Sequence, residues 1–263
     1  MQHLKFNHDL KTKEIKEKIA LLTLEEYPEW IHYLGKDSRK SVQSLGKQLE
    51  NKLKKHRLLE EKTKHLLAFE KTKREEGFRL ICGVDEVGRG PLAGPVVTGA
   101  VIMKPESCIL GIDDSKKLTA TKRESLAEQI MEEAIDWKIG VHSHKTIDEI
   151  NILEATKKAM VDAVLSLEPK PDLVLIDALK IPVDIPMINI IKGDATCYAI
   201  AAASILAKVY RDKLMISYHE QYPQYGFDRN MGYGTKEHIK AIKEYGVCPI
   251  HRLSFVGGIL SGK

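Results

Sequence analysis

The sequence predicts an α/β fold: a mixed five-stranded sheet flanked by helices, preceded by a small helical N-terminal extension. Three observations carry that expectation. Apolar runs of strand length recur from residue 79 onward. Amphipathic segments of helical period alternate with the later runs. The first 76 residues are highly charged, helical in period and free of strand-like runs. The chain therefore divides into an extension, 1–76, and a main domain, 77–263.

The extension begins with 11–22, where Ile15, Ile19 and Leu22 fall at helical spacing. Thr23 with Glu26 three residues on fits a capping box for a second helix. A stretch over 41–68 carries Val42, Leu45, Leu49, Leu53, Leu58, Leu59, Leu66 and Leu67. No proline interrupts 46–76, so a long basic helix should end near Gly77. Its apolar stripe is too narrow to form a core alone, so it should dock on the main domain or on nucleic acid.

In the main domain, strands are expected at 79–87, 94–103, 137–143, 172–177 and 187–191. The run Leu173-Val174-Leu175-Ile176 is continuous and apolar, the pattern of a buried parallel strand. Helices are expected at 122–134, with Thr121 and Glu124 as a capping box, at 147–167, stopped by Pro169, and at 195–218, opened by Asp194.

Composition bounds the rest. With 263 residues, 43% of them hydrophobic, the chain is an ordinary globular protein. No apolar run approaches a membrane span, and no signal-peptide stretch follows Met1-Gln2-His3-Leu4-Lys5, so a cytoplasmic protein without membrane attachment is expected. Cys82, Cys108, Cys197 and Cys248 form no C-x-x-C pair and read as buried reduced thiols. His142 and His144 could share a strand face, but two histidines make a poor metal site. Residues 1–76 hold 18 Lys and Arg against 13 Asp and Glu, whereas 77–263 hold 23 against 24. That basic excess is a nucleic-acid contact surface or a solvated helix face; the sequence leaves both open.

The chemistry concentrates in Gly83-Val84-Asp85-Glu86-Val87-Gly88-Arg89-Gly90-Pro91. An apolar run feeds two adjacent carboxylates, and a Gly-Arg-Gly turn follows. Carboxylates at the end of a buried strand are costly to desolvate without a cation nearby, and hard divalent metals suit them. Asp177 closes the fourth predicted strand, and Asp194 follows the fifth. If these elements neighbour one another, four acids meet at the carboxyl end of the sheet. Two of the acids also have a plainer reading. Asp194 could be a helix cap, and Asp177 a turn residue before Ala178. Moreover, neighbours on a regular strand point to opposite faces, so Asp85 and Glu86 share a site only if the strand breaks near Glu86.

The segment from Gly83 to Val96 closely resembles the opening motif of ribonuclease HII. The likeness continues in order through Asp114-Ser115-Lys116-Lys117-Leu118, Val174-Leu175-Ile176-Asp177 and Lys192-Gly193-Asp194. It then runs through the helix Ala202-Ala203-Ser204-Ile205-Leu206-Ala207-Lys208-Val209-Tyr210-Arg211-Asp212, through Gly232-Tyr233-Gly234-Thr235, and ends at His251-Arg252-Leu253-Ser254-Phe255. The resemblance implies a ribonuclease H-like fold and endonucleolytic cleavage of RNA in RNA–DNA hybrids. It further implies incision 5′ of single ribonucleotides in duplex DNA, 5′-phosphate and 3′-hydroxyl products, and a part in ribonucleotide and RNA primer removal. By the same resemblance, Asp85, Glu86, Asp177 and Asp194 hold one or two Mn²⁺ or Mg²⁺ ions. Gly88, Arg89 and Gly90 sense the ribose 2′-hydroxyl, and Tyr233 packs on the neighbouring sugar. Lys116, Lys117, Ser204, Lys208 and Arg252 join as substrate contacts; a solvated turn is the other reading of Lys116 and Lys117, and bracing of the acids that of Lys208, Arg211 and Arg252. Asp212 reads as structural, and Tyr222 and Tyr225 as packing.

The matched motifs leave 1–76 uncovered. Ribonuclease HIII proteins also carry an N-terminal domain, but the Gly-Arg-Gly turn favours the HII type. Competing readings are a DNA nuclease or junction resolvase on the same fold, a hybrid-binding protein without catalysis, and a nucleotide-binding domain. The last rests on Gly88-x-Gly90 alone, with no G-K-[ST] loop in the chain. A monomer is expected.

Overall fold

The computed structural model describes residues 10–177 and 179–261; the readings at residues 1–5 and at Ala178 lie outside them. The chain divides into two compact units, Met1–Lys62 and Thr63–Lys263.

In the first unit, α1 (Thr12–Ile19), α2 (Tyr27–Gly35) and the first turns of α3 (Lys40–Glu75) enclose a small core. Its buried members are Ile15, Leu22, Trp30, Leu34, Val42, Leu45 and Leu49. The Glu14 carboxylate accepts from the Lys11 backbone N–H at 2.7 Å, closing the start of α1. Glu26 does the same for Thr23 at 2.8 Å. Thr23 nevertheless heads a turn, not a helix; α2 begins four residues later, with Pro28 in its first turn.

The division between units falls inside α3. Its last turns carry Leu66, Leu67 and Phe69, which pack into cores of the second unit. Apolar burial groups that end of the helix with the sheet body, whereas charge, helical period and the lack of strand-like runs draw the boundary at 76.

The second unit is built on one five-stranded sheet of order β3-β2-β1-β4-β5. The strands are β1 (Ile81–Val87), β2 (Val96–Met103), β3 (Ala134–His142), β4 (Leu173–Ile176) and β5 (Met187–Asn189). β1–β2 and β2–β3 pair antiparallel, while β1–β4 and β4–β5 pair parallel, so the expected mixed sheet is the one observed. The helices are α4 (Ala120–Glu133), α5 (His144–Leu165), α6 (Gly193–Thr196), α7 (Tyr198–Gln221), α8 (Phe227–Asn230), α9 (Lys236–Tyr245) and α10 (Leu253–Leu260).

Alternation along the strands sets the layers. Val101 and Met103 face α4 and α7, packing with Leu126, Ile130, Ala201 and Ile205. Cys82, Val84, Ala100 and Ile102 face α5, packing with Met160, Ala163 and Val164. Buried aliphatic side chains of this kind contribute about 1.5–3 kcal/mol each. α7 lies unusually close to the sheet. A Cβ on Gly83 would come within 2.1 Å of the Ala199 backbone, and one on Gly99 within 2.3 Å of the Ala203 carbonyl. Two glycines thus form the groove in which α7 rests.

Several details differ from the sequence reading. α4 is capped by Thr119, whose hydroxyl accepts from Lys122 N–H, rather than by Thr121. β3 ends at His142, and Ser143 caps α5, so His142 and His144 lie on different elements. The helix expected over 195–218 is two helices, interrupted at Cys197, whose backbone is extended (φ −131°, ψ 128°). The three helices after residue 226 form a separate subcore around Tyr225, Phe227, Ile242 and Val256. Cys108 is exposed; the other three cysteines are buried, and all four are free. Among the described residues, no helix is long and apolar enough to cross a membrane.

Candidate active site

The register places the acids. The β1–β4 ladder ends at the pair Val84 and Ile176, so Asp85 and Asp177 come next on neighbouring parallel strands. Both lie at the carboxyl end of the sheet, where side chains leave the core. β1 does not break at Glu86. It continues through Val87, with Asp85 opposite Gly99 and Glu86 opposite Thr98 on β2. The break comes at Gly88, with φ +90°. Asp85, on the same face as Gly83, therefore points toward α7, where Ser204 hydrogen-bonds its carboxyl. Glu86 points to the other face, and Arg89 Nη1 approaches its Oε1 at 3.2 Å. The acids meet around the sheet end, not on one face.

The loop after β5 completes the group. Lys192 adopts the left-handed conformation and donates its backbone N–H to Asp177 Oδ1 at 3.1 Å. This bond sets the start of α6, whose second residue is Asp194. Asp194 is therefore a first-turn residue, two positions past the N-cap Lys192, and not the cap considered for it. On the facing loop, Asp114 Oδ1 accepts from Lys116 N–H at 3.0 Å and closes the 3-10 turn Ser115–Lys117. Lys116 Nζ then stands 3.5 Å from Asp194 Oδ2. Ser115 Oγ and Ser204 Oγ are 2.9 Å apart, which links this loop to α7.

Crowding shapes the protonation of the acids. Burial first, then the charge of Glu86, pushes Asp85 up to about 8, against the pull of the Ser204 hydrogen bond. Burial also raises Glu86, with Arg89 opposing and Asp177 adding to the shift. Asp177 is raised by burial and by Asp194. For Lys116, burial works downward, but Asp194, Asp114 and Asp85 together hold its ammonium above the ordinary value. Four mutually repelling carboxyls with a lysine leaning toward them form an all-oxygen donor set suited to a hard divalent cation. Among the described residues, no three of them are drawn into a closed ligand group. The donor chemistry fits a divalent metal.

Two buried arginines support the turn beyond β1. Arg252 Nη2 donates to the Gly88 carbonyl at 2.6 Å, Nη1 to Arg89 at 2.9 Å and Nε to Gly94 at 2.9 Å. Arg211 donates to Pro95, Met231 and Ala93 at 3.0, 2.9 and 3.2 Å. Both are fully buried, so Arg252 lies beneath the turn with its donors taken up by backbone. Gly88 has no room for a side chain: a Cβ would sit 2.2 Å from Arg211 Nε. At Gly90, a Cβ would lie 3.7 Å from Tyr233 Cε1, so the exposed tyrosine ring flanks the turn across a gap one methyl wide.

The remaining site candidates scatter. Lys208 Nζ pairs with Asp212 Oδ1 at 2.7 Å, and Arg123 joins the same carboxylate at 3.4 Å. Lys117 Nζ lies 3.7 Å from Asp113 and is mostly exposed. Tyr225 is buried, stacked on Phe227 at 5.5 Å.

Sequence reasoning missed two carboxylates. Asp148 on α5 accepts from the Leu253 and Ser254 N–H groups at 2.8 and 2.9 Å, anchoring α10 and with it Arg252. Glu70 on α3 is buried and accepts from Ala199 N–H at 2.7 Å. A signal for Glu70 existed: it follows Leu66 by four residues, on the apolar stripe of the helix.

A mixed sheet with three acids at the carboxyl ends of the neighbouring strands β1 and β4 and a fourth on the helix after β5, beside a cradled basic turn, defines a phosphodiester-cleaving hydrolase of the ribonuclease H-like class. The ribonuclease HII family model matches residues 82–257, and that of the ribonuclease HII N-terminal domain matches 11–74. The chain is 49% identical to ribonuclease HII of Clostridioides difficile (strain 630), covering 96% of this chain and 99% of that one. It is 53% identical to ribonuclease HII of Lactobacillus acidophilus, covering 92% and 96%. Among solved structures, the ribonuclease H2 from Pyrococcus horikoshii OT3 superposes with a TM-score of 0.60 at 28% identity, covering 69% of this chain and 97% of that one. The chain belongs to the ribonuclease HII family, ribonuclease H endonucleases that act on RNA in RNA–DNA hybrids.

Proposed function

We propose that this enzyme incises 5′ of single ribonucleotides embedded in duplex DNA, as well as within longer RNA tracts, leaving 5′-phosphate and 3′-hydroxyl ends. The observation that carries the reading is the turn Gly88-Arg89-Gly90. It is held from below by Arg252, flanked by the ring of Tyr233, and placed two residues beyond Glu86. Backbone groups on such a turn can hydrogen-bond the 2′-hydroxyl, the one group that distinguishes ribose from deoxyribose. Tyr233 stacks on the adjoining sugar.

Asp85, Glu86, Asp177 and Asp194 would hold one or two Mg²⁺ or Mn²⁺ ions. When bound, these supply Lewis-acid activation of water and neutralise charge at the leaving 3′ oxygen. Arg89 and the Gly88 backbone orient the ribose, and Lys116 and Lys117 meet phosphates on the open side of the cluster. Ser204 fixes the Asp85 carboxyl toward the cluster.

The basic run over 47–74 in the extension adds affinity for duplex by phosphate contacts. The enzyme works as a cytoplasmic monomer in removing misplaced ribonucleotides and RNA primers. The test is cleavage of duplex DNA bearing one ribonucleotide, with all-DNA duplex as control, in Mg²⁺, Mn²⁺ and EDTA. Metal-dependent incision on the 5′ side of the ribonucleotide, sparing all-DNA, is the expected outcome. Cleavage only of longer RNA tracts would remove the sensing role from the turn.

A further inference from the structure

α7 begins without a cap of its own. Its N-cap, Cys197, offers no side-chain hydrogen bond to the first turn. That first turn is buried, so its N–H groups have no solvent to turn to. The missing acceptor comes from α3, about 130 residues earlier in the chain. Glu70 Oε1 accepts from Ala199 N–H at 2.7 Å and receives the Cys197 thiol at 3.6 Å. The bond spans the point where α6 ends and α7 begins.

We infer that Glu70 is a positioning residue for hydrolysis, setting α6 and α7 so that Asp194 and Ser204 address the acid cluster. This rests on the hydrolytic reading above. Three observations join the cap to the site. Cys197 N–H closes α6 onto the Gly193 carbonyl at 2.9 Å, so the helix bearing Asp194 is tied to the capped residue. Ala199 is also the residue that enters the groove at Gly83, two positions before Asp85 on the same face of β1. Ser204, five residues further along α7, hydrogen-bonds Asp85. A carboxylate at a helix N-terminus is favoured by the helix dipole, and a buried N–H deprived of its acceptor leaves the first turn unsatisfied. Loss of the cap therefore loosens α7 where two of the four acids depend on it. Gly88, Arg89 and Tyr233 are held by Arg252 and by α9, and α7 reaches them only through Arg211, twelve residues beyond Ala199.

The consequence is a kcat effect without a matching KM effect. In the full-length enzyme, Glu70→Ala lowers kcat on an RNA–DNA hybrid about ten- to a hundred-fold, while KM stays within about three-fold. Glu70→Gln keeps an oxygen acceptor and retains at least about half of wild-type kcat. Glu70→Asp keeps the carboxyl but draws the acceptor back by one methylene, and it falls with Glu70→Ala; it also stands in if Glu70→Ala does not fold. In a second, activity-independent readout, hydrogen exchange of the amides at 199–201 quickens about ten-fold or more in Glu70→Ala and Glu70→Asp, while that of α9 is unchanged. A folded Glu70→Ala or Glu70→Asp enzyme with wild-type kcat overturns the inference. So does a Glu70→Gln enzyme as impaired as Glu70→Ala, or unchanged exchange at 199–201. Wild-type enzyme that cut no hybrid would refute the hydrolytic reading on its own, and the exchange arm would still decide the cap.

Discussion

Arg252 holds the Gly88 carbonyl at 2.6 Å across a separation of 164 residues, from a guanidinium wholly removed from solvent. The same side chain donates to Arg89 and Gly94, so one residue near the C-terminus shapes the backbone that follows the two strand acids. Burial, together with the nearby charge of Arg211, pushes its pKa down, yet a guanidinium remains protonated at neutral pH. Its role follows from fork geometry more than from charge.

A bracing arginine and a phosphate ligand respond differently to substitution. Arg252→Lys keeps the charge but cannot reach three carbonyls in different directions. Cleavage should fall by about ten-fold or more with no change in the salt dependence of hybrid binding. A variant with normal cleavage and a shallower salt slope would instead make Arg252 a phosphate ligand.

Gly88 and Gly90 should respond differently to the same change. Gly88→Ala forces a Cβ to 2.2 Å from Arg211 Nε at a φ of +90°. Arg211 is pinned by three carbonyls and has nowhere to go. A loss on the order of 3 kcal/mol in unfolding free energy is expected. Gly90→Ala meets only an ordinary contact with Tyr233, so stability should change by less than about 1 kcal/mol. It fills the gap beside the ring, and incision at a single ribonucleotide should fall more than cleavage of a long hybrid. Urea unfolding and paired substrates check both halves.

Asp85→Asn should abolish cleavage, by about a thousand-fold or more, while hybrid affinity stays within about three-fold. The contacts proposed to position substrate lie on the turn, on Tyr233 and on the lysine loop. Removing one of four crowded carboxyls also relieves repulsion, so the Tm should hold or rise. Near-normal turnover would take Asp85 out of the metal site.

A buried histidine pair makes the fold acid-sensitive. Cys248 N–H donates to His251 Nδ1 at 2.9 Å, which leaves His251 Nε2–H to donate to His238 Nε2 at 3.0 Å. His238 Nδ1–H in turn donates to the Tyr233 carbonyl at 2.8 Å. Each ring is neutral in this order of donors, and an added proton sets two donors face to face. Burial, then His238, lowers His251 to about 4, and burial lowers His238. The folded value lies below the unfolded one, so the stability is present above the unfolded pKa near 6.5 and is lost as pH falls toward 4. Between pH 7 and pH 5 the His251 contribution should fall by about 2 kcal/mol, seen as a lower urea midpoint. His251→Asn should flatten that dependence; an unchanged slope would remove His251 as its source.

The basic face of α3 offers a prediction in salt. Changing Lys47, Lys54 and Lys55 to Gln should weaken hybrid binding at low ionic strength and reduce the slope of log affinity against log salt by up to about three units. Equal slopes for wild type and variant would leave the extension without a duplex contact.

Much of this enzyme could be read from residue order. Strand and helix periods depend on local sequence, so the five strands, the long third helix and the mixed sheet were all legible. The four acids were legible as strand-end residues, because carboxylates beside apolar runs need a reason. Other features depended on the tertiary structure. A break near Glu86 was the condition on which Asp85 and Glu86 could share a site; instead β1 stays regular through Val87 and the acids meet around its end. The helix after Asp194 divides at Cys197, a break that no proline or glycine announces. Arg252, Asp148 and Glu70 act across separations of about 105 to 164 residues. Their partners are backbone groups, which carry no residue identity and leave no trace in composition or spacing. Local periodicity therefore determined the elements and the acids, and only the closing of the fold decided which buried charges hold them in place.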